Sequence, residues 1–154
     1  MFKKILVPVD GSRPAHNSCM KALELAKIHD SDVEIIHVIS FSDEYVPNTA
    51  DSGAEETLSP PDWINEYLDK VREHNEKMLA ETLKAAREVA PGLNITTNLL
   101  HGQPGRQIVT RAKKGGFDLI VIGNRGLSGI KELVLGSVSH RVVDDSSIPV
   151  LVIK

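Results

Sequence analysis

Asp118-Leu119-Ile120-Val121-Ile122-Gly123-Asn124-Arg125-Gly126-Leu127-Ser128-Gly129, carried on to Gly136-Ser137-Val138-Ser139, is the stretch that decides how this chain folds. Asp118 to Ile122 is a short apolar run bounded by glycine, the pattern of a strand buried on both faces. Gly123 and Gly126 stand at its carboxyl end, and Gly136, separated from Gly126 by nine residues, opens Ser137-Val138-Ser139 and a short helix. Glycine permits a sharp bend and lets a ligand approach where a Cβ would intrude. Hydroxyls and the free N–H groups of a helix start suit an anion, above all a phosphate.

The rest of the chain repeats the same strand-then-helix alternation. Lys4 to Val9 is a β-rich run ending in the turn Asp10-Gly11-Ser12, with Ser12 as helix N-cap and Pro14 in the first turn. Ala15, Cys19, Ala22, Leu23 and Ala26 recur at helical spacing and form a stripe to lay on a sheet. Val33 to Ile39 is a second strand. Phe41 to Asp62 carries six acidic residues and no Lys or Arg, which predicts a mobile surface loop. A long helix follows, with Ile64, Tyr67, Leu68, Val71, Asn75, Met78, Leu79, Thr82, Leu83 and Ala86 mostly on its inner face and Pro91-Gly92 as its stop. Its apolar positions keep no clean heptad, which favours packing on a sheet over a coiled coil.

Leu93 to His101 is the third strand. Pro104 to Lys114 is a helix with Ile108, Val109 and Ala112 inward and Gly115-Gly116 as its stop. After the opening stretch come a helix from about Ser137 to Asp145 and a last strand, Val150-Leu151-Val152-Ile153. Strands alternating with helices predict βαβ units and an open, doubly wound parallel sheet with helices on both faces. In such sheets a ligand sits beyond the strand carboxyl ends, where the strand order reverses. Asp10 and Gly123 would meet there if the first and fourth strands are neighbours.

Bulk composition narrows the function classes. The 154 residues suit one domain, spanning 1–154, and 41% hydrophobic with 25% charged residues is ordinary for a globular chain. A net charge of −3 gives no field to draw the chain to nucleic acid or anionic lipid. The single cysteine, Cys19, forms no internal disulfide and reads as core packing. No apolar run is long enough to span a membrane, and the amino terminus does not resemble a signal peptide, so a cytoplasmic location is expected.

Two common phosphate-binding designs are missing: neither G-x-x-x-x-G-K-[ST] nor a G-x-G-x-x-G after the first strand occurs. Val7-Pro8-Val9-Asp10-Gly11-Ser12, His37-Val38, the G-x2-G-x9-G-S pattern from Gly123 to Ser137, and Ile148-Pro149-Val150-Leu151-Val152 stand instead. Together they closely resemble the universal stress protein family, from Phe2 to Lys154, and the glycines with Ser137 and Ser139 resemble its ATP-binding branch. The chain departs from the family pattern chiefly at Asn124, where small residues are common, and at Ser146-Ser147.

That resemblance implies a five-stranded sheet in the order 3-2-1-4-5 and a site for ATP, AMP or ADP. It implies that Asp10 accepts hydrogen bonds from the ribose or the adenine side, with Pro8 and Val9 as wall. Val38 would meet adenine through its backbone, and Ile122, Gly123 and Gly126 would line the ribose and phosphate path. Gly136, Ser137, Val138 and Ser139 would hold the outer phosphates through N–H groups and hydroxyls, with Arg125 and Lys131 as nearby cations. Magnesium or manganese would be held through phosphate oxygens and water. The resemblance also implies a homodimer through the last strand, and an apolar strand at a sheet edge independently invites pairing with a second chain.

The expected function is therefore an ATP-binding, dimeric stress-response module that regulates a protein partner, with at most slow hydrolysis. No general base or water-positioning residue is evident. The competing readings are an adenylate-forming enzyme of the wider adenine-nucleotide α-hydrolase superfamily and a scaffold that dimerises without nucleotide. The first trails because neither S-G-G-x-D-S nor H-x-G-H occurs. A hydrolase triad from Ser137 or Ser139 with His140 and Asp144 lacks the G-x-S-x-G elbow. The remaining histidines show no metal-ligand spacing.

Overall fold

The computed structural model describes residues 1–40, 62–126 and 135–154. Five strands, β1 (Lys4–Pro8), β2 (Asp32–Ile39), β3 (Ile95–His101), β4 (Leu119–Gly123) and β5 (Val150–Ile153), form one parallel sheet in the order β3-β2-β1-β4-β5. Four helices alternate with them: α1 (Arg13–His29), α2 (Asp62–Val89), α3 (Pro104–Lys114) and α4 (Ser137–Asp145). The sheet reverses direction at β1, whose neighbours are β2 and β4.

Alternation along the strands divides the core in two. Ile5, Val7, Ile35 and Val121 face α1 and α2, where Ala15, Cys19, Ala22, Leu23 and Ala26 form the buried stripe and Leu79 and Ala86 close it. Leu6, Ile36, Ile120 and Ile122 face the other way, onto Ile108 and Ala112 of α3 and Val142 of α4. Residues buried on both sides explain why these strands are continuous in apolar character rather than alternating. One charge interrupts this: Glu34 of β2 is buried, and Arg111 of α3 grips it through two hydrogen bonds of 2.6 Å each. The bonds to Glu34 hold the guanidinium above its usual range, and Phe117 lies beside the Arg111 guanidinium.

The amino ends of the strands are tied together by side chains. Asp118 Oδ2 accepts from the N–H groups of Lys3 and Lys4, at 2.8 and 2.9 Å, while Asp118 N–H donates to Lys4 O. Lys4 Nζ reaches Gly115 O at 2.8 Å, Ser31 Oγ donates to Phe2 O, and Asn94 Nδ2 donates to Asp32 Oδ1 at 3.0 Å.

Several expected boundaries move. β1 stops at Pro8 rather than Val9, and β3 starts at Ile95 because Leu93 bonds back to Ala90 O in the turn after α2. β4 starts at Leu119, Asp118 serving as the tie just described. Asp62 is the first residue of α2, not the end of a loop; the rest of the acidic loop expected over Phe41 to Asp62, residues 41–61, lies outside the described residues, as does Lys131. On α2, Tyr67 is exposed along with Trp63, against the expectation that Tyr67 faces inward. The fully buried residues of this helix, Leu79 and Ala86, lie in its second half.

Candidate functional site

Where β1 ends, the sheet opens. Lys3 and Val9 of β1's run bond to β2, through Asp32 N–H and Ile36 O, while Lys4 bonds toward β4 through Asp118 N–H. Odd residues of β1 therefore face β2 and even ones face β4. Pro8 falls on the β4 side, where it has no N–H to donate. Pairing of β1 with β4 accordingly ends at Leu6 and Ile120, although β4 continues beside β5 as far as Gly123 and Ile153. The crevice this leaves at the reversal point is a cleft of about 470 Å³, a size that accommodates a small organic ligand.

All twelve ligand-site residues expected from the sequence line this one cleft: Pro8, Val9, Asp10, Val38, Ile122, Gly123, Arg125, Gly126, Gly136, Ser137, Val138 and Ser139. Asp10 and Gly126 are in contact, since a Cβ on Gly126 would collide with Asp10 Oδ2. The ends of β1 and β4 thus meet as neighbours, which was the condition for a shared site. Asp10 Oδ1 also accepts the Ser12 N–H at 3.0 Å, so one oxygen shapes the turn into α1. Ser12 caps α1 by accepting the Ala15 N–H at 3.3 Å.

Gly123 and Gly126 are required by the closeness of their neighbours, and Gly136 is not. None of them has a positive φ; that conformation occurs at Gly11, Gly102 and Gly116 among the described glycines. The chain does bend directly after Gly123, at Asn124, without a left-handed backbone. A Cβ on Gly123 would stand 2.8 Å from the Pro14 carbonyl carbon and 2.9 Å from its oxygen, so Gly123 lets β4 lie against the start of α1. A Cβ on Gly136 would meet only Arg125 Cα at 3.4 Å, Asn124 O at 3.5 Å and Ser139 Oγ at 3.7 Å. Gly136 is thus not required by its protein neighbours.

Gly136 is the N-cap of α4 and has no side chain with which to cap it. The N–H groups of Ser137, Val138 and Ser139 form the uncapped first turn, and His140 is the first to bond back, to Gly136 O at 2.9 Å. These first-turn donors and the helix dipole favour an anion in the cleft. The two serines differ. Ser137 is exposed, whereas Ser139 is buried and its hydroxyl donates to Asn124 O and Gly136 O, both at 2.9 Å. The Ser139 hydroxyl fastens the loop, together with Gly136 N–H to Asn124 O at 2.8 Å. In this arrangement the hydroxyl is engaged by the loop, and the Ser139 N–H in the first turn of α4 is the group left for an anion.

Asn75 and Val71 of α2 and His37 of β2, to which the sequence assigned no role in the site, also line the cleft. The sequence places Asn75 and Val71 on the inner face of α2; that this face reaches the cleft is seen only in the structure. His140 Nδ1 pairs with Asp144 Oδ2 at 3.1 Å on the exposed side of α4. Among the described residues no cluster of three or more His, Cys, Asp or Glu side chains is placed to hold a metal ion. Among them, too, no helix is long and apolar enough to cross a membrane.

Fold and cleft together define an open, doubly wound α/β protein with a cleft at the point where the strand order reverses. The family profile described as the universal stress protein family matches residues 1–154. Universal stress protein YxiE of Bacillus subtilis is 36% identical over 154 residues, covering the whole of both chains. The solved structure of MJ0577, a universal stress protein of Methanocaldococcus jannaschii, superposes with a TM-score of 0.80 at 28% identity, covering 100% of this chain and 96% of the other. More distant proteins share the fold, among them a universal stress protein in complex with cAMP (22% identical, TM-score 0.67, covering 99% and 97%) and one from Archaeoglobus fulgidus in complex with dAMP (20%, 0.66, 100% and 98%). This chain belongs to the universal stress protein family.

Proposed function

We propose that this chain is an adenine-nucleotide-binding regulatory module, with ATP as its principal ligand and at most slow hydrolysis. One observation carries the reading: the uncapped first turn of α4, the Asp10 carboxylate and the edge of β2 at Val38 all face a single cleft. The first supplies donors for phosphate, the second an acceptor for ribose or base hydroxyl and amino groups. The third supplies a main-chain donor and acceptor side by side. Family members of this fold that bind cAMP and dAMP support adenine as the base. Magnesium or manganese would be held by phosphate oxygens and water, neutralising charge that the α4 dipole only partly offsets.

The same reading includes a homodimer. Pro149 and Ile153 carbonyls bond to β4, so the backbone groups of Val150 and Val152 face the open edge. Leu151 is exposed on that apolar strand. Val152→Pro removes an outward N–H while leaving the bonds to β4 intact, and it should turn a dimer into a monomer in analytical ultracentrifugation. A wild-type protein that sediments as a monomer would refute the dimer.

ATP with magnesium should raise the melting temperature of the wild type and fail to raise that of Gly136→Val, whose side chain would occupy the cradle. A mass spectrum of the protein as purified should reveal bound adenine nucleotide. No shift with any adenine nucleotide would leave a scaffold as the surviving function.

A further inference from the structure

We infer that His37 is the positioning residue that frees the Val38 amide for the base, an inference that rests on the adenine-nucleotide reading above. Its starting point is the ladder between β1 and β2. Asp32 N–H donates to Lys3 O, and Ile36 O accepts from Val9 N–H at 2.8 Å, so the even residues of β2 face β1. Odd residues face β3, as Val33 N–H to Asn94 O and Gly102 N–H to Ile39 O require. One more step of a regular parallel ladder would join Val38 N–H to Val9 O.

That bond is not formed. His37 Nδ1 lies 2.7 Å from Val9 O instead. A carbonyl can only accept, so Nδ1 carries the proton and donates. The imidazole bonds the oxygen to which Val38 N–H would otherwise donate, and the ladder stops one residue short. Val38 N–H and C=O both face the β1 side, at the point where β1 has turned away and the cleft begins. An adjacent main-chain donor and acceptor match a base edge that presents an acceptor beside an amino group, as adenine does. His37 would thus act on the base without touching it.

The test reads the amide and the ligand separately. Amide hydrogen exchange by NMR on the nucleotide-free protein should find Val38 exchanging fast in the wild type and protected in His37→Ala, where Val9 O is released to it. His37→Asn places an amide donor near the position of Nδ1 and should keep Val38 exposed. On ligands, His37→Ala should weaken ATP by about tenfold, the equivalent of one hydrogen bond. It should leave inorganic tripolyphosphate unchanged, and His37→Asn should restore ATP affinity. An unchanged Val38 exchange rate in His37→Ala would overturn the inference whether or not ATP binds. Equal losses for ATP and tripolyphosphate would overturn it too, by making His37 a general prop of the fold. If the wild type bound neither ligand while Val38 exchange behaved as expected, the adenine reading would fail and the release of the amide would stand.

Discussion

The two ends of the sheet are built to opposite specifications. At the amino ends of the strands, side chains bridge three of the four gaps between neighbours: Asp118 clamps Lys3 and Lys4, Ser31 ties to Phe2, and Asn94 ties to Asp32. At the carboxyl ends the ladder is stopped on both sides of β1, by Pro8 toward β4 and by His37 toward β2. The backbone groups left over line the cleft rather than being paired across it. One end holds the sheet together, and the other is kept from closing. Substitutions at the two ends should therefore separate stability from ligand binding.

The largest effect is expected where the two functions coincide. Gly123→Ala drives a Cβ to 2.8 Å from the Pro14 backbone, an overpacking that costs about 3 kcal/mol and should lower the melting temperature before ligand is considered. Gly136→Ala tests the open end alone. Its Cβ meets neighbours at 3.4 Å or more, so thermal melting without ligand should barely change. ATP affinity measured by calorimetry should fall about tenfold, or ~1.4 kcal/mol, if phosphate approaches Gly136 closely. Asp118→Ala tests the tied end, removing the acceptor for two N–H groups. It should cost about 1 kcal/mol in chemical denaturation and leave ATP affinity unaltered. A loss of affinity in Asp118→Ala would break the contrast.

Two smaller effects sharpen it. Burial pushes the Cys19 thiol up to about 11, above its value in the unfolded chain. Its contribution to stability is fully present below the unfolded pKa and is lost as pH rises through about 11. Stability should therefore fall as pH is raised toward 11, by a margin that Cys19→Ala removes, measured as denaturation midpoints at pH 8 and 10.5. At pH 8 the folded protein should resist thiol reagents and react once denatured. Least of all, His140→Ala breaks only an exposed pair with Asp144 and should change stability by less than about 0.5 kcal/mol, with no change in nucleotide affinity.

How much of this was legible in the sequence follows from the range of the forces involved. The helix-and-strand order could be read because each element carries its own periodicity, as the α1 stripe from Ala15 to Ala26 does. The cleft could be read because glycine and Asp10 mark strand ends. The purpose of each glycine could not: Gly123 answers to Pro14, over a hundred residues away, and only coordinates bring them together. The Ser139 hydroxyl is bound by Asn124 for the same reason. Tyr67 looked inward because helical spacing specifies a face but not whether the sheet extends far enough to meet it. Glu34, an acid in the middle of a buried strand, could be explained only once Arg111 was seen against it.

Pro8 carries a consequence for how fast and how tightly this protein would take up a guest. A gap that opened only when two strands unzipped would exist in a fraction of molecules, and apparent affinity would be scaled down by that fraction. Here the missing hydrogen is covalent fact, present in every copy at every moment. The association rate of a nucleotide at this gap should therefore depend on diffusion and charge rather than on waiting for β1 and β4 to part.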